Sequence, residues 1–245
     1  MVEEIKNLNQ HIFTNLLNSS KIDTVIIPLG SIEQHGAHLP FSTDTMIVEY
    51  ISKIIAQKKN AFLLPSLYYG VSFEHEPFFN ISVSYNILIN YISDICISLF
   101  KQGINHIYVI NGHHGNIGLL QYVGQHISTK YSIKGKFFYY INYWQILDRY
   151  FDHAGEVETS LMLVICPDLV RMDLIEKGLE LVDDKNNQLN KIGINMSINN
   201  PGGFIKFTKN GIWGNPINAS YEKGKKMLSS IIEKIILLIS EEYYK

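Results

Sequence analysis

Three short segments hold most of the residues able to do chemistry. The first is Gly30-Ser31-Ile32-Glu33-Gln34-His35-Gly36, followed by His38 and Asp44. Glu33 and His35 are two apart, so on an extended backbone their side chains point the same way. A carboxylate, an imidazole and a second carboxylate suit a borderline divalent ion such as Zn²⁺ or Mn²⁺. His38 reads as a supporting residue. The second segment is Asn111-Gly112-His113-His114-Gly115-Asn116. Neighbours on a strand face opposite sides, so one histidine is expected to be a ligand and the other a pocket wall. The third is Asp152-His153-Ala154-Gly155-Glu156-Val157-Glu158-Thr159-Ser160. Its carboxylates stand near an expected helix start, where the helix dipole favours them with or without a ligand. Each segment alone is weak evidence. Together they supply ligands for two metals, with Asp44 placed to bridge.

The elements that must position these segments are readable from hydrophobic patterning. Thr24 to Leu29 reads as a buried strand ending at Gly30, with a helix after Asp44 and a second strand at Ala61 to Leu64. Ser84 is expected to cap a long helix that Gly103 stops. His106 to Ile110 and Phe137 to Ile141 read as strands, with a helix from about Asn116 to Ser128 between them. Glu156 to Ile165 reads as a helix stopping before Pro167, and Ala219 to about Glu241 as an amphipathic one. Alternation of strand and helix predicts an α/β fold, a mostly parallel sheet covered on both faces. Sites in such sheets collect at the carboxyl ends of the strands, where all three segments fall. The Asn-, Gly- and Lys-rich stretch 185–218 reads as a surface excursion, a lid or a subunit contact.

The 245 residues fit one domain, 1–245, with 46% hydrophobic and 18% charged residues. Basic and acidic side chains nearly balance, 21 against 23, so no strong field would attract nucleic acid or an anionic membrane. No apolar run has the length of a membrane span, and the first twenty residues lack a signal-peptide core, so a cytoplasmic protein is expected. Cys96 and Cys166 make no metal-finger spacing and read as buried thiols. Phosphate-loop, serine-elbow and H-E-x-x-H patterns are absent.

The three segments, in their order and spacing over roughly residues 20–170, resemble the creatininase family of creatinine amidohydrolases and relatives. The resemblance implies a three-layer α/β/α sandwich and two divalent metal ions per chain, Zn²⁺ and/or Mn²⁺ with Fe²⁺ as a further candidate. It implies a small-molecule amide substrate and a homo-oligomer, commonly a hexamer. By motif position Glu33, Asp44 and His113 would hold one metal, and His35 and Asp44 the other. Creatininase itself has a glutamate two positions after its counterpart of His113. This chain has Gly115 there, and Glu156 is expected to supply the missing carboxylate. His153 matches the family's acid/base residue, and His114 stands where creatininase has a tyrosine.

The chemistry implied is attack of a metal-activated water on an amide carbonyl, with His153 shuttling the proton and Asp152 or Glu158 orienting it. From the loop Gly70 to Phe79, Ser72 and His75 are expected to touch substrate and the phenylalanines to exclude water. Trp144 is expected to cover the pocket, and Tyr139, Tyr140 and Tyr143 to pack the strand. The expected bond is a non-peptide or cyclic amide. Alternatives are a formamide on a pyrimidine nucleotide in flavin or deazaflavin biosynthesis, and a peptide bond in maturation of a peptide-derived cofactor. A non-catalytic, metal-stabilised binding module is the reading from another class, and the scarcity of Cys ligands weighs against it.

Overall fold

Thr24–Leu29 (β2) and His106–Asn111 (β4) are near-continuous apolar runs, the pattern of strands buried on both faces of a parallel sheet. They pair in register from Thr24 opposite His106 to Leu29 opposite Asn111. The computed structural model describes residues 3–19, 22–147, 152–180, 200 and 202–240. Glu3–Glu4 (β1), Phe62–Leu63 (β3) and Phe137–Asn142 (β5) complete a five-stranded sheet of order β1-β3-β2-β4-β5, every pair parallel.

Alternate strand residues face opposite sides, and the core divides accordingly. Ile26 of β2 and Tyr108 and Ile110 of β4 join Ile47, Ile51 and Ile55 of α2 (Thr43–Lys59). The same cluster takes Leu161 and Met162 of α5 (Glu156–Ile165) and Ile231 and Ile235 of the C-terminal helix Tyr221–Ile239. On the other face Val25, Ile27, Leu29, Ile107 and Val109 meet Leu88, Ile92 and Cys96 of α3 (Tyr85–Lys101) and Leu119, Leu120 and Val123 of α4 (Ile117–Lys130). Phe13 of α1 (Gln10–Ser19) packs on Phe62 there, ring centroids 5.1 Å apart. Helix, sheet and helix form the expected three layers. None of the described helices is long and apolar enough to cross a membrane.

Ser84 occupies the N-cap of α3, although its side chain makes no capping bond, and Gly103 ends that helix at φ 97°. The expected excursion is corrected in part. Residues 185–199 and 201 lie outside the described residues. The rest is no surface excursion: Gly203–Thr208 (α6, so that Tyr221–Ile239 is α7) buries Phe204, and Ile212 packs into the core.

Candidate metal centre

The carboxyl ends of β2 and β4 lie side by side, and the first turn of α2 is wedged against both. Two glycines permit this. A Cβ on Gly30 would stand 2.1 Å from Thr45 Oγ1, and one on Gly112 would stand 2.5 Å from the Asp44 carbonyl oxygen. Asp44 is therefore held between the Glu33–His35 loop and the His113 turn, at a helix N-terminus that favours a carboxylate. The third segment enters from β5. Its backbone is clamped at His153, which exchanges two 2.8 Å hydrogen bonds with Trp213. Ala154 adopts φ 53°, and its N–H donates to Glu158 Oε2 at 2.6 Å.

Among the described residues, three overlapping sets converge closely enough to share an ion: Glu33, Asp44 and His113; His35, Asp44 and Glu158; Glu33, His35 and His153. Asp44 belongs to both of the first two. Its Oδ1 lies 3.1 Å from His35 Nε2 and its Oδ2 lies 3.3 Å from His113 Nδ1. Backbone carbonyls fix which ring nitrogen points inward. His35 Nδ1 donates to Glu33 O at 3.1 Å and His113 Nε2 to Val71 O at 2.8 Å, which leaves His35 Nε2 and His113 Nδ1 as lone pairs facing the carboxylates. His153 Nε2 donates to Gln34 O at 2.9 Å, so its Nδ1, 3.7 Å from Glu33 Oε1, is a third inward lone pair.

This donor set fits a divalent cation. Glu33 Oε1 and Asp44 Oδ2 are buried and have no hydrogen-bond partner, though His113 Nδ1 is 3.2 and 3.3 Å away. Orphaned carboxylate oxygens are costly inside a protein unless a charge meets them. Without a cation, protons do so. Burial alone would lower His35, but Asp44, Glu158 and Glu33 raise it to about 10. Burial, helped by Asp44 and Asp152, pushes Glu158 up to about 8 against the pull of His35. Metal uptake at pH 7.5 must expel the His35 proton, and that competition weakens as pH rises towards about 10. Calorimetry of Zn²⁺ binding in two buffers of different ionisation enthalpy should show about one or more protons released per chain, with affinity rising roughly tenfold per pH unit per proton. Affinity that stays flat between pH 6.5 and 9 would contradict this.

The family model for creatininase, described as creatinine amidohydrolase, matches residues 7–239. The chain belongs to the creatininase family. It is a metal-dependent amidohydrolase. A mycofactocin precursor peptide peptidase from Mycolicibacterium smegmatis is 29% identical over 228 residues, covering 87% of this chain and 83% of its own. A creatinine amidohydrolase from Pseudomonas putida is 26% identical over 184 residues, 62% of this chain and 67% of its own. A solved structure of creatininase with Mn shares the fold at a TM-score of 0.85 over 99% of both chains, with 21% identity.

Several expected positions change within this creatininase frame. Glu156 is outside the cluster, where it pairs with Lys223 Nζ at 2.9 Å, and Glu158 stands in its place. Two residues along a helix turn the side chain by about 200°, so the two glutamates face opposite ways. At Gly115 no side chain fits: a Cβ would lie 2.0 Å from Val71 O and 2.7 Å from Glu74 Oε1. Asp152 Oδ2 accepts Val157 N–H at 2.7 Å in the first turn of α5. Ser72 is buried under the ligands, 2.6 Å from Ser31 Oγ, which in turn donates to Glu33 Oε2 at 2.8 Å. Phe73 and Phe79 are exposed, and Phe78 is half-buried. Phe204 covers the buried imidazoles, tilted over His75 with ring centroids 4.4 Å apart and edge-on to His153 at 5.0 Å. Tyr143 is more than strand packing: burial and then the charge of Glu158 hold its hydroxyl well above the usual range. His114 is exposed and sits 6.3 Å from the Trp144 ring, apart from the ligand cluster. His38 is buried 2.9 Å from Thr159 Oγ1, and burial and His35 lower it to about 4. Ser31, Gln34, Tyr143 and Phe204 were not legible as site residues. Only Ser31 and Gln34 carried a local signal, their place inside the first motif.

Proposed function

We propose that this chain hydrolyses a peptide-type amide at a centre of two divalent cations, Zn²⁺ or Mn²⁺. Glu33, Asp44 and His113 hold one, and His35, Asp44 and Glu158 hold the other. Bound there, the cations acidify a water towards neutral pH and polarise the amide carbonyl. Everything else is done by the chain. Ser31 and Ser72 brace the Glu33 carboxylate. His153, kept well below the usual imidazole range by burial and then by His35, is neutral and takes a proton at Nδ1, which it returns to the leaving nitrogen. Phe204 keeps bulk water from the buried imidazoles. His114 and Trp144 form the rim that meets the outer part of the substrate.

The observation that carries the peptide reading is the close-packed Gly115, with Glu158 in the cluster. It separates this chain from creatininase itself, and the peptidase from M. smegmatis matches over most of both lengths. A homo-oligomer accompanies this reading, with the exposed Ile87, Tyr91 and Tyr122 as apolar surface for another copy to cover.

The test is product analysis by mass spectrometry on the Zn- or Mn-loaded chain given creatinine, formanilide or tetra-alanine. Tetra-alanine should be cleaved faster than creatinine by about tenfold or more. Chelation should abolish cleavage and added metal restore it. Preferred opening of creatinine would return the substrate to the non-peptide class. No turnover of any amide with two metals bound would favour the binding module.

A further inference from the structure

We propose that Gln34 is a positioning residue that holds His75 with its proton on Nε2, making His75 a hydrogen-bond donor in the centre. This rests on the amidohydrolase reading and deepens it. Gln34 is 5% exposed, and the direction of its amide is fixed from two sides. Gly36 N–H donates to Oε1 at 3.0 Å, and Nε2 donates to Gly211 O at 3.0 Å, so the nitrogen end cannot be exchanged with the oxygen end. Three acceptors or rings lie within reach of that Nε2: Gly211 O, His75 Nδ1 at 3.0 Å and His153 Nε2 at 3.1 Å. His153 Nε2 already gives its own hydrogen to the Gln34 carbonyl, so it has no lone pair to offer. The second amide hydrogen therefore goes to His75 Nδ1, and a neutral His75 must carry its proton on Nε2.

That proton lies at the inward end of the ring. His75 Nε2 is 3.1 Å from Glu33 Oε1, which takes no aligned hydrogen bond from it. The four imidazoles thus divide by tautomer. His35, His113 and His153 present lone pairs and suit cations or a transferred proton, whereas His75 alone presents an N–H. A fixed N–H beside the scissile carbonyl stabilises the oxygen as negative charge develops on it. His75 does not transfer its proton. It only donates a hydrogen bond, so no charge needs to leave the ring. Gly211 is part of the device: at φ 77° it brings its backbone close, and a Cβ there would stand 2.1 Å from Gln34 Oε1.

The tautomer can be read directly from long-range ¹H–¹⁵N spectra of the histidine rings in the Zn-loaded chain. His75 should show the Nε2–H pattern in wild type. In Gln34→Glu the carboxylate accepts from Nδ1, and the His75 proton should move there with Zn content unchanged. Acetohydroxamate, an oxygen-anion probe of the centre, should then bind about tenfold or more weakly, the loss expected for one charge-assisted donor. Gln34→Met, which offers no hydrogen, should give mixed tautomers and a smaller loss. An Nδ1–H signal for His75 in wild type overturns the proposal whether or not either variant folds. So does a moved proton with acetohydroxamate affinity within about twofold of wild type. If added Zn²⁺ leaves the His35 and His113 signals unmoved, the metal reading fails instead, and the Gln34–His75 tautomer is still decided by the same spectrum.

Discussion

Asp44→Asn should leave the chain with little bound metal and lower amide turnover at least about 1,000-fold, roughly 4 kcal/mol of transition-state stabilisation. The size follows from its position. Each carboxylate oxygen serves a different ligand set, Oδ1 beside His35 and Oδ2 beside His113, and among the described residues no other belongs to both sets. An asparagine keeps the shape of the side chain but removes the shared charge and turns an N–H₂ towards one of the two lone pairs. Metal loading is also a stability term, worth about 4 kcal/mol when the cation is at 1,000 times its dissociation constant. Elemental analysis and melting curves with and without Zn²⁺ should agree. Wild type gains melting temperature from Zn²⁺ with about two ions bound, and the variant gains almost none. Two ions retained by Asp44→Asn would remove the bridging assignment.

How much of this was legible in the sequence differs element by element. β2 and β4 were, because a parallel strand buried on both faces is apolar throughout. α1 carried a usable signal in Ile12, Phe13, Leu16 and Leu17, which recur at helical spacing. β3 was found within the apolar run Ala61 to Leu64, of which only Phe62 and Leu63 pair. β1 carried no signal: two residues are too short to show a period, and only pairing with its neighbour defines it. The ligand loops were legible because chemistry demands rare residue types beside glycines that let backbones approach. Gln34 was harder. Lying between Glu33 and His35 on an extended backbone, it points away from them, towards partners on three other segments at His75, His153 and Gly211. Phe204 had no local signal at all, since what makes it a roof is the place where its helix docks.

Glu158→Gln should remove one metal and lower turnover about 100-fold or more, whereas Glu156→Gln should leave metal content and turnover near wild type. The phase of α5 decides between them. Glu158 is followed at helical spacing by Leu161 and Met162, both fully buried, so it shares their inward face. There its Oε2 accepts from Ala154 N–H and lies 3.6 Å from His35 Nε2. Glu156 points the opposite way and meets Lys223, whose side chain is 44% exposed. Exposed pairs of that kind contribute about 0–1 kcal/mol, so losing one should move the melting temperature only slightly. In Glu158→Gln the carboxylate ligand is gone but Ala154 N–H keeps an acceptor in the amide oxygen, which separates loss of a ligand from collapse of the loop. Elemental analysis of the two variants side by side gives the answer. Metal lost from Glu156→Gln and kept by Glu158→Gln would mean that α5 sits about half a turn from its place here. Metal lost from neither would leave the second ion held by His35 and Asp44 alone, an incomplete set for a divalent cation.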